Sequence, residues 1–122
     1  MTEAQDIAER YVALWNERDS GTRRSAIAAF FAPTGEHYVG TRSAKGYDEL
    51  EKRVLGSHTK NVVEGGYLFR AVAGAQKLQD VVTFNWEMHP VGDAESTAAV
   101  GLEFVVLGDD GRVVTDYQFI VR

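Results

Sequence analysis

The chain has 122 residues, 44% of them apolar, with 2 tryptophans, 5 tyrosines and 6 phenylalanines, which suffices for the core of one domain spanning residues 1–122. It has no cysteine, which excludes a disulfide scaffold, a thiolate metal site, an iron–sulfur cluster and a cysteine nucleophile. The net charge of −5, with the basic residues scattered, argues against nucleic acid as a partner. The polar, acidic start and the lack of any apolar run long enough to span a bilayer argue for a cytoplasmic protein without membrane attachment.

Residues 3–18 place Ile7, Tyr11, Leu14, Trp15 and Arg18 on one helical face, and Asp19-Ser20-Gly21 breaks the pattern. Thr22 is positioned to cap a second helix, in which Ile27, Phe30 and Phe31 repeat the stripe until Pro33 stops it. Residues 35–42 alternate loosely, with Tyr38 and Val39 suited to a short strand. A third helix is predicted from about Tyr47 to Ser57, with Tyr47, Leu50 and Val54 on one face and His58 continuing it. Asn61 to Gly66 reads as a polar exit.

The remainder is β in character. Residues 67–75, 80–90, 96–107 and 112–121 are rich in Val, Phe, Tyr and Thr with period-two patterning, clearest in Val82-x-Phe84-x-Trp86-x-Met88. Asp109-Asp110-Gly111 reads as the hairpin turn before the last strand. Three helices followed by an antiparallel meander predict an α+β domain.

Several strings resemble one family. Arg10-Tyr11-Val12-Ala13-Leu14-Trp15-Asn16-Glu17-Arg18-Asp19 and Ala28-Ala29-Phe30-Phe31-Ala32-Pro33 resemble the first two helices of the nuclear-transport-factor-2-like superfamily, in its SnoaL-like branch. Val82-x-Phe84-x-Trp86-Glu87 and Gly101-x-Glu103-x-x-x-Leu107-x-Asp109-x-Gly111-Arg112 resemble its central strands and final hairpin. The resemblance covers roughly residues 5 to 121. It implies a cone: a curved mixed or antiparallel sheet wrapped around three N-terminal helices and enclosing a pocket. The relatives it implies include ketosteroid isomerases, polyketide cyclases and proteins that only bind, so fold does not settle function.

By that resemblance Tyr11 falls where the isomerases carry a tyrosine that donates to an enolate oxygen, and Glu103 where they carry the acid completing the oxyanion hole. A buried phenol needs a partner for its polar tip, a ligand or the backbone. A carboxyl beside Val105 and Leu107 on an apolar face would be held protonated by burial and able to donate, unless that face meets solvent. Val39 falls at the position of the isomerases' aspartate base, and valine cannot move a proton. His37, two residues earlier on the same side of the strand, is the candidate base, or else a hydrogen-bonded wall residue.

Trp15, Phe31, His58, Trp86, Met88, Tyr117 and Phe119 are expected to line or underlie the pocket, as ligand platform or as core. No histidine pair has metal-ligand spacing, so neither metal nor cofactor is expected. Two functions compete. One is a small-molecule pocket protein for an apolar, carbonyl- or ring-containing ligand, including a cofactor-free isomerase or cyclase that uses Tyr11, His37 and Glu103. The other is a non-catalytic binding or dimerisation module. A homodimer is the family's usual state, with Thr83, Asn85, Glu87, His89, Leu102, Phe104 and Val106 on the outer face of the sheet.

Overall fold

Two side-chain caps set where the first helices begin. Thr2 accepts from the Gln5 N–H at 3.0 Å and starts α1 (Glu3–Asn16), and Asp19 accepts from the Thr22 N–H at 2.8 Å and starts α2 (Ser20–Phe30). Thr22 is therefore the capped residue and Asp19 the cap, reversing the expectation from sequence. The computed structural model describes residues 2–122. Helix α1 ends two residues before Arg18, where buried Arg23 closes the corner by donating to the carbonyls of Glu17 and Arg18. Those carbonyls follow the helix end, where backbone acceptors lack intrahelical partners.

The chain enters β1 (Phe31–Val39) directly from α2, earlier than residue 35. A register shift between Phe31 and Glu36 accommodates Pro33, which has no N–H for a ladder. Val39 pairs with Arg42, leaving a two-residue loop in which Gly40 adopts φ +57°, and β2 (Arg42–Lys45) returns. Helix α3 (Gly46–Ser57) follows, and the predicted polar exit is instead a π-helical continuation, His58–Glu64. The remaining strands are β3 (Tyr67–Ala71), β4 (Gln76–Leu78), β5 (Val81–Pro90), β6 (Ala99–Leu107) and β7 (Val113–Ile120).

The seven strands form one open mixed sheet in the order β2-β1-β7-β6-β5-β3, with β4 also paired to β5. All pairs are antiparallel except β1 with β7. Helices α1 and α3 pack on the concave face, as the cone-shaped α+β reading expects. Helix α1 is fastened there by two amides three turns apart. Asn16 donates to the Phe69 carbonyl and accepts from the Phe69 N–H, and Gln5 does the same for Val72 and Ala75 in the break between β3 and β4. A side-chain amide thus stands in for a neighbouring strand at an exposed edge.

Strand alternation decides which residues face the helices. On β7, Asp116 and Gln118 point inward and are buried, so Tyr117 and Phe119 point outward. On β6 and β5 the inward rows include Gly101, Glu103 and Val105, and Val82, Phe84 and Trp86. Gly101 lies directly opposite Trp86, whose indole crosses the space above it, and a Cβ on Gly101 would stand 2.1 Å from the indole carbons. Gly101→Ala should therefore displace the indole and destabilise the fold by about 1–3 kcal/mol, as overpacking does. Urea denaturation checks this, and a loss under about 0.5 kcal/mol would show that the indole does not occupy that space.

Candidate functional site

Three elements meet at one carboxylate oxygen. Register in the parallel β1–β7 pair sets His37 beside Asp116, and Tyr11 reaches the same point from α1. Asp116 Oδ2 lies 2.7 Å from His37 Nδ1 and accepts from the Tyr11 hydroxyl at 2.8 Å. The Tyr11 oxygen is also 3.3 Å from the Gln118 side-chain amide. One strand further, Glu103 pairs with Gln118 and so lies diagonal to Asp116 on the same face, and its Oε1 accepts from the Trp86 indole N–H at 2.9 Å. His37, Glu103 and Asp116 are all buried. Three atoms of this cluster, His37 Nε2, Glu103 Oε2 and Asp116 Oδ1, have no protein hydrogen-bond partner among the described residues.

In front of this cluster lies a cavity of about 700 Å³, within the range that encloses a drug-sized molecule. Tyr11, Gln118 and Trp86 bring the polar cluster to its wall, and Val12, Trp15, Val39, Phe69, Met88 and Ile120 supply apolar surface. Arg42 and Ser43 of β2 and Glu49, Lys52, Arg53, Gly56, Ser57, Lys60 and Asn61 of α3 and its π-helical continuation complete it. Among the expected lining residues, Trp15, Trp86 and Met88 line this cavity.

The others lie elsewhere. Phe31 is buried beside Phe30 without lining the cavity, 5.3 Å ring to ring. His58 is buried with its Nδ1 3.1 Å from the Trp15 carbonyl, an acceptor only, so Nδ1 carries the proton and the ring ties α3 to the end of α1. Tyr117 and Phe119 are 43% and 56% exposed on the outer face, so their expected place in the pocket is corrected. Of the three residues read as candidate catalysts, Tyr11 alone touches the cavity. His37 and Glu103 stand behind its wall.

Sequence reading passed over Asp116, Gln118 and Arg53. The available signal was Asp116-x-Gln118 in a strand whose other side chains are largely apolar. Aromatic Tyr117 and Phe119 in the opposite phase drew the inward assignment, and a one-residue change of phase exchanges the two faces.

Burial raises the Tyr11 phenol well above its ordinary range, and the Asp116 charge adds to it, so Tyr11 is a neutral hydroxyl. Burial also raises Glu103 well above the usual carboxyl range. The Asp116 charge reinforces this, and the hydrogen bond from the Trp86 indole offsets part of it. The acid is thus protonated where most carboxyls are not, and the folded state holds its proton more tightly than the unfolded chain.

Glu103's contribution to stability is therefore full below its unfolded value of roughly 4.3, and it declines as pH rises toward the folded value, at up to about 1.4 kcal/mol per pH unit. Exposed Asp19, Asp93 and Asp110 have lowered values from local hydrogen bonds, so they act in the opposite direction and only in acid. Glu103→Gln keeps an acceptor for Trp86 and removes the titration. Its stability relative to the parent should rise as pH increases above the ordinary carboxyl range, in urea denaturation. A constant difference would mean that Glu103 ionises as freely in the fold as out of it.

No protein-family profile and no curated protein matches the chain. Solved structures do. A proposed isomerase of the SnoaL-like family from Agrobacterium tumefaciens superposes with a TM-score of 0.87 at 21% identity, covering 100% of both chains. A nuclear-transport-factor-2-like protein of unknown function from Exiguobacterium gives 0.70 at 17% identity over 93% of this chain and 97% of that one. A protein with a ketosteroid-isomerase-like fold from Catenulispora acidiphila, solved with trimethylamine, gives 0.62 at 14% identity over 93% and 84%. The chain has the fold that SnoaL-like, nuclear-transport-factor-2-like and ketosteroid-isomerase-like proteins share, as the resemblance of its helices and strands implied.

Proposed function

We propose that the protein takes a small, largely apolar, ring-bearing molecule into the 700 Å³ cavity and meets a ligand oxygen with Tyr11 and Gln118. The observation that carries this reading is the placement of Tyr11. Among the members of the buried titratable cluster it alone lines the cavity, and its proton is directed into Asp116. With its hydrogen engaged, the phenol offers a lone pair to a ligand hydroxyl, and the Gln118 amide can turn its NH₂ toward a ligand carbonyl.

In a cofactor-free isomerase or cyclase these parts would act in sequence. Tyr11 would be the residue in contact with the reacting oxygen. Asp116 and His37 would hold its orientation and receive or return a proton through the Tyr11–Asp116 hydrogen bond, and Glu103, kept neutral, would limit the charge gathered behind the wall. Val39, which by resemblance falls where the isomerases carry their carboxylate base, stands in the cavity wall. That favours chemistry at oxygen, or binding without turnover, over ketosteroid-type isomerisation.

Both tryptophans of the chain line the cavity, so intrinsic fluorescence reports on its occupancy. A panel of aromatic ketones and phenols should contain compounds that shift this emission and raise the melting temperature by mass action, about 2.7 kcal/mol at a hundredfold excess over Kd. Tyr11→Phe should weaken the phenols among them about 3- to 10-fold, the net worth of one hydrogen bond. Solvent deuterium entering the ligand in the parent and not in Tyr11→Phe would establish turnover. No ligand in the panel, or none sensitive to Tyr11→Phe, would remove the pocket reading.

A second copy of the chain is the proposed partner of the outer face. Phe104, Tyr117 and Phe119 are 40%, 43% and 56% exposed there, and Tyr117 stacks on Tyr38 at 5.6 Å. Exposed aromatics clustered on one sheet face mark an interaction surface. Sedimentation velocity should show a dimer that Phe104→Ser with Phe119→Ser converts to monomer. A monomeric parent at high concentration would exclude this pairing.

A further inference from the structure

The rim of the cavity has a charge opposite to that of the whole protein. On a chain of net charge −5, the residues around the cavity include Arg42, Lys52, Arg53 and Lys60 against one acid, Glu49. Glu49 is already engaged, its carboxylate accepting from the Lys45 N–H at 3.0 Å. None of the four cations has a carboxylate within 4.0 Å among the described residues, whereas Arg24, Arg70, Lys77 and Arg112 away from the cavity all do.

Arg53 is the member set deepest. Its guanidinium lies over the Trp15 ring, 4.9 Å from the centroid. Its Nε and the Trp15 indole Nε1 are both buried donors without a protein hydrogen-bond partner among the described residues. Burial lowers its affinity for its proton and the nearby Arg42 charge adds to this, while the acids behind the cavity wall, Glu103 and Asp116, offset only part of it and neither forms an ion pair with it. A desolvated cation and two idle donors on stacked side chains are costly unless an acceptor carrying negative charge meets them. The flat, forked guanidinium is shaped for a planar carboxylate. Arg42 comes from β2, which packs beside α3, and its charge acts on Arg53, so the positive field at the cavity is built from two neighbouring elements.

We infer that the ligand is an amphipathic acid, its ring-bearing body among Trp15, Phe69 and Met88 and its carboxylate held by Arg53 at the mouth, with Arg42, Lys52 and Lys60 drawing it in. This rests on the small-molecule reading of the cavity and adds the ligand's charge. It also orients the ligand, with the anionic end outward and the end carrying any reacting oxygen toward Tyr11.

The test uses three matched probes, naphthalene-2-acetic acid, its primary amide and its methyl ester, titrated against tryptophan emission. In the parent the acid should bind at least about tenfold more tightly than the amide, as one charge-assisted contact implies. Raising the salt concentration should narrow that ratio by screening the exposed lysines. The ratio should fall toward one in Arg53→Gln and keep an intermediate value in Arg53→Lys, which retains charge without the fork. Lys77→Gln, which removes a cation paired with Glu3 away from the cavity, should leave the ratio where it was. Equal binding of acid and amide in the parent, or an acid preference that survives Arg53→Gln, overturns the inference while leaving the cavity reading intact. Tighter binding of 2-naphthyl phosphate than of the acid overturns the carboxylate assignment. Failure of all three probes to bind overturns the inference together with the cavity reading.

Discussion

The structure turns on a single buried oxygen. Asp116 Oδ2 meets Tyr11 of α1 and His37 of β1 at once, so the position of the first helix and the parallel closure of the first strand against the last are set by one acceptor. A carboxylate with no exposed surface is expensive to desolvate, and it is tolerable only with such partners in place. Removing either partner would leave the other as the only side chain bonded to that oxygen. This makes the junction a demanding one and ties α1 to the sheet in a single orientation.

From that junction the cavity follows. With α1 held against the sheet by Tyr11, and against the β3–β4 edge by Gln5 and Asn16, α3 must cover the remaining concave surface. It reaches across by continuing into a wider π-helical turn, which His58 anchors to the end of α1. Segments of this kind are rare and are often found at functional sites. Here the segment carries Lys60 and Asn61 to the cavity wall. The gap between helices and sheet stays open because Gly101 leaves room for the Trp86 indole to lie flat and bond to Glu103.

The resulting site has two ends of different character. At the inner end, neutral Tyr11 and protonated Glu103 surround one carboxylate, which suits handling a proton without gathering charge. At the outer end, unpaired cations face solvent across an apolar middle. A molecule that is polar at both ends and apolar between them matches this arrangement, and a uniformly neutral one would leave the outer end unpaired.

Much of the fold was legible in the sequence because it depends on local rules: the 3.6-residue stripe of Ile7, Tyr11, Leu14 and Trp15, the alternation of Val82 to Met88, and the turn at Asp109-Asp110-Gly111. Those rules place Tyr11 on a core-directed face and leave the face of Glu103 open between pocket and solvent; the structure buries both. The same rules do not place Asp116. Its strand presents alternating aromatic and polar residues, and on an antiparallel sheet with one face open, hydrophobicity alone assigns the aromatics inward. The actual phase depends on a register shift near Leu107 and Val113 and on the pairing with β1, both long-range features. The meeting of Arg53 with Trp15 likewise joins segments far apart in sequence. The sequence by itself therefore determined the three helices, the main strands and the fold they resemble, because propensity and periodicity act over a few residues, and it missed β2 and the π-helical continuation of α3. Only the tertiary structure decided which polar groups share a cavity, because that depends on strand phase and helix placement, which distant parts of the chain set for one another.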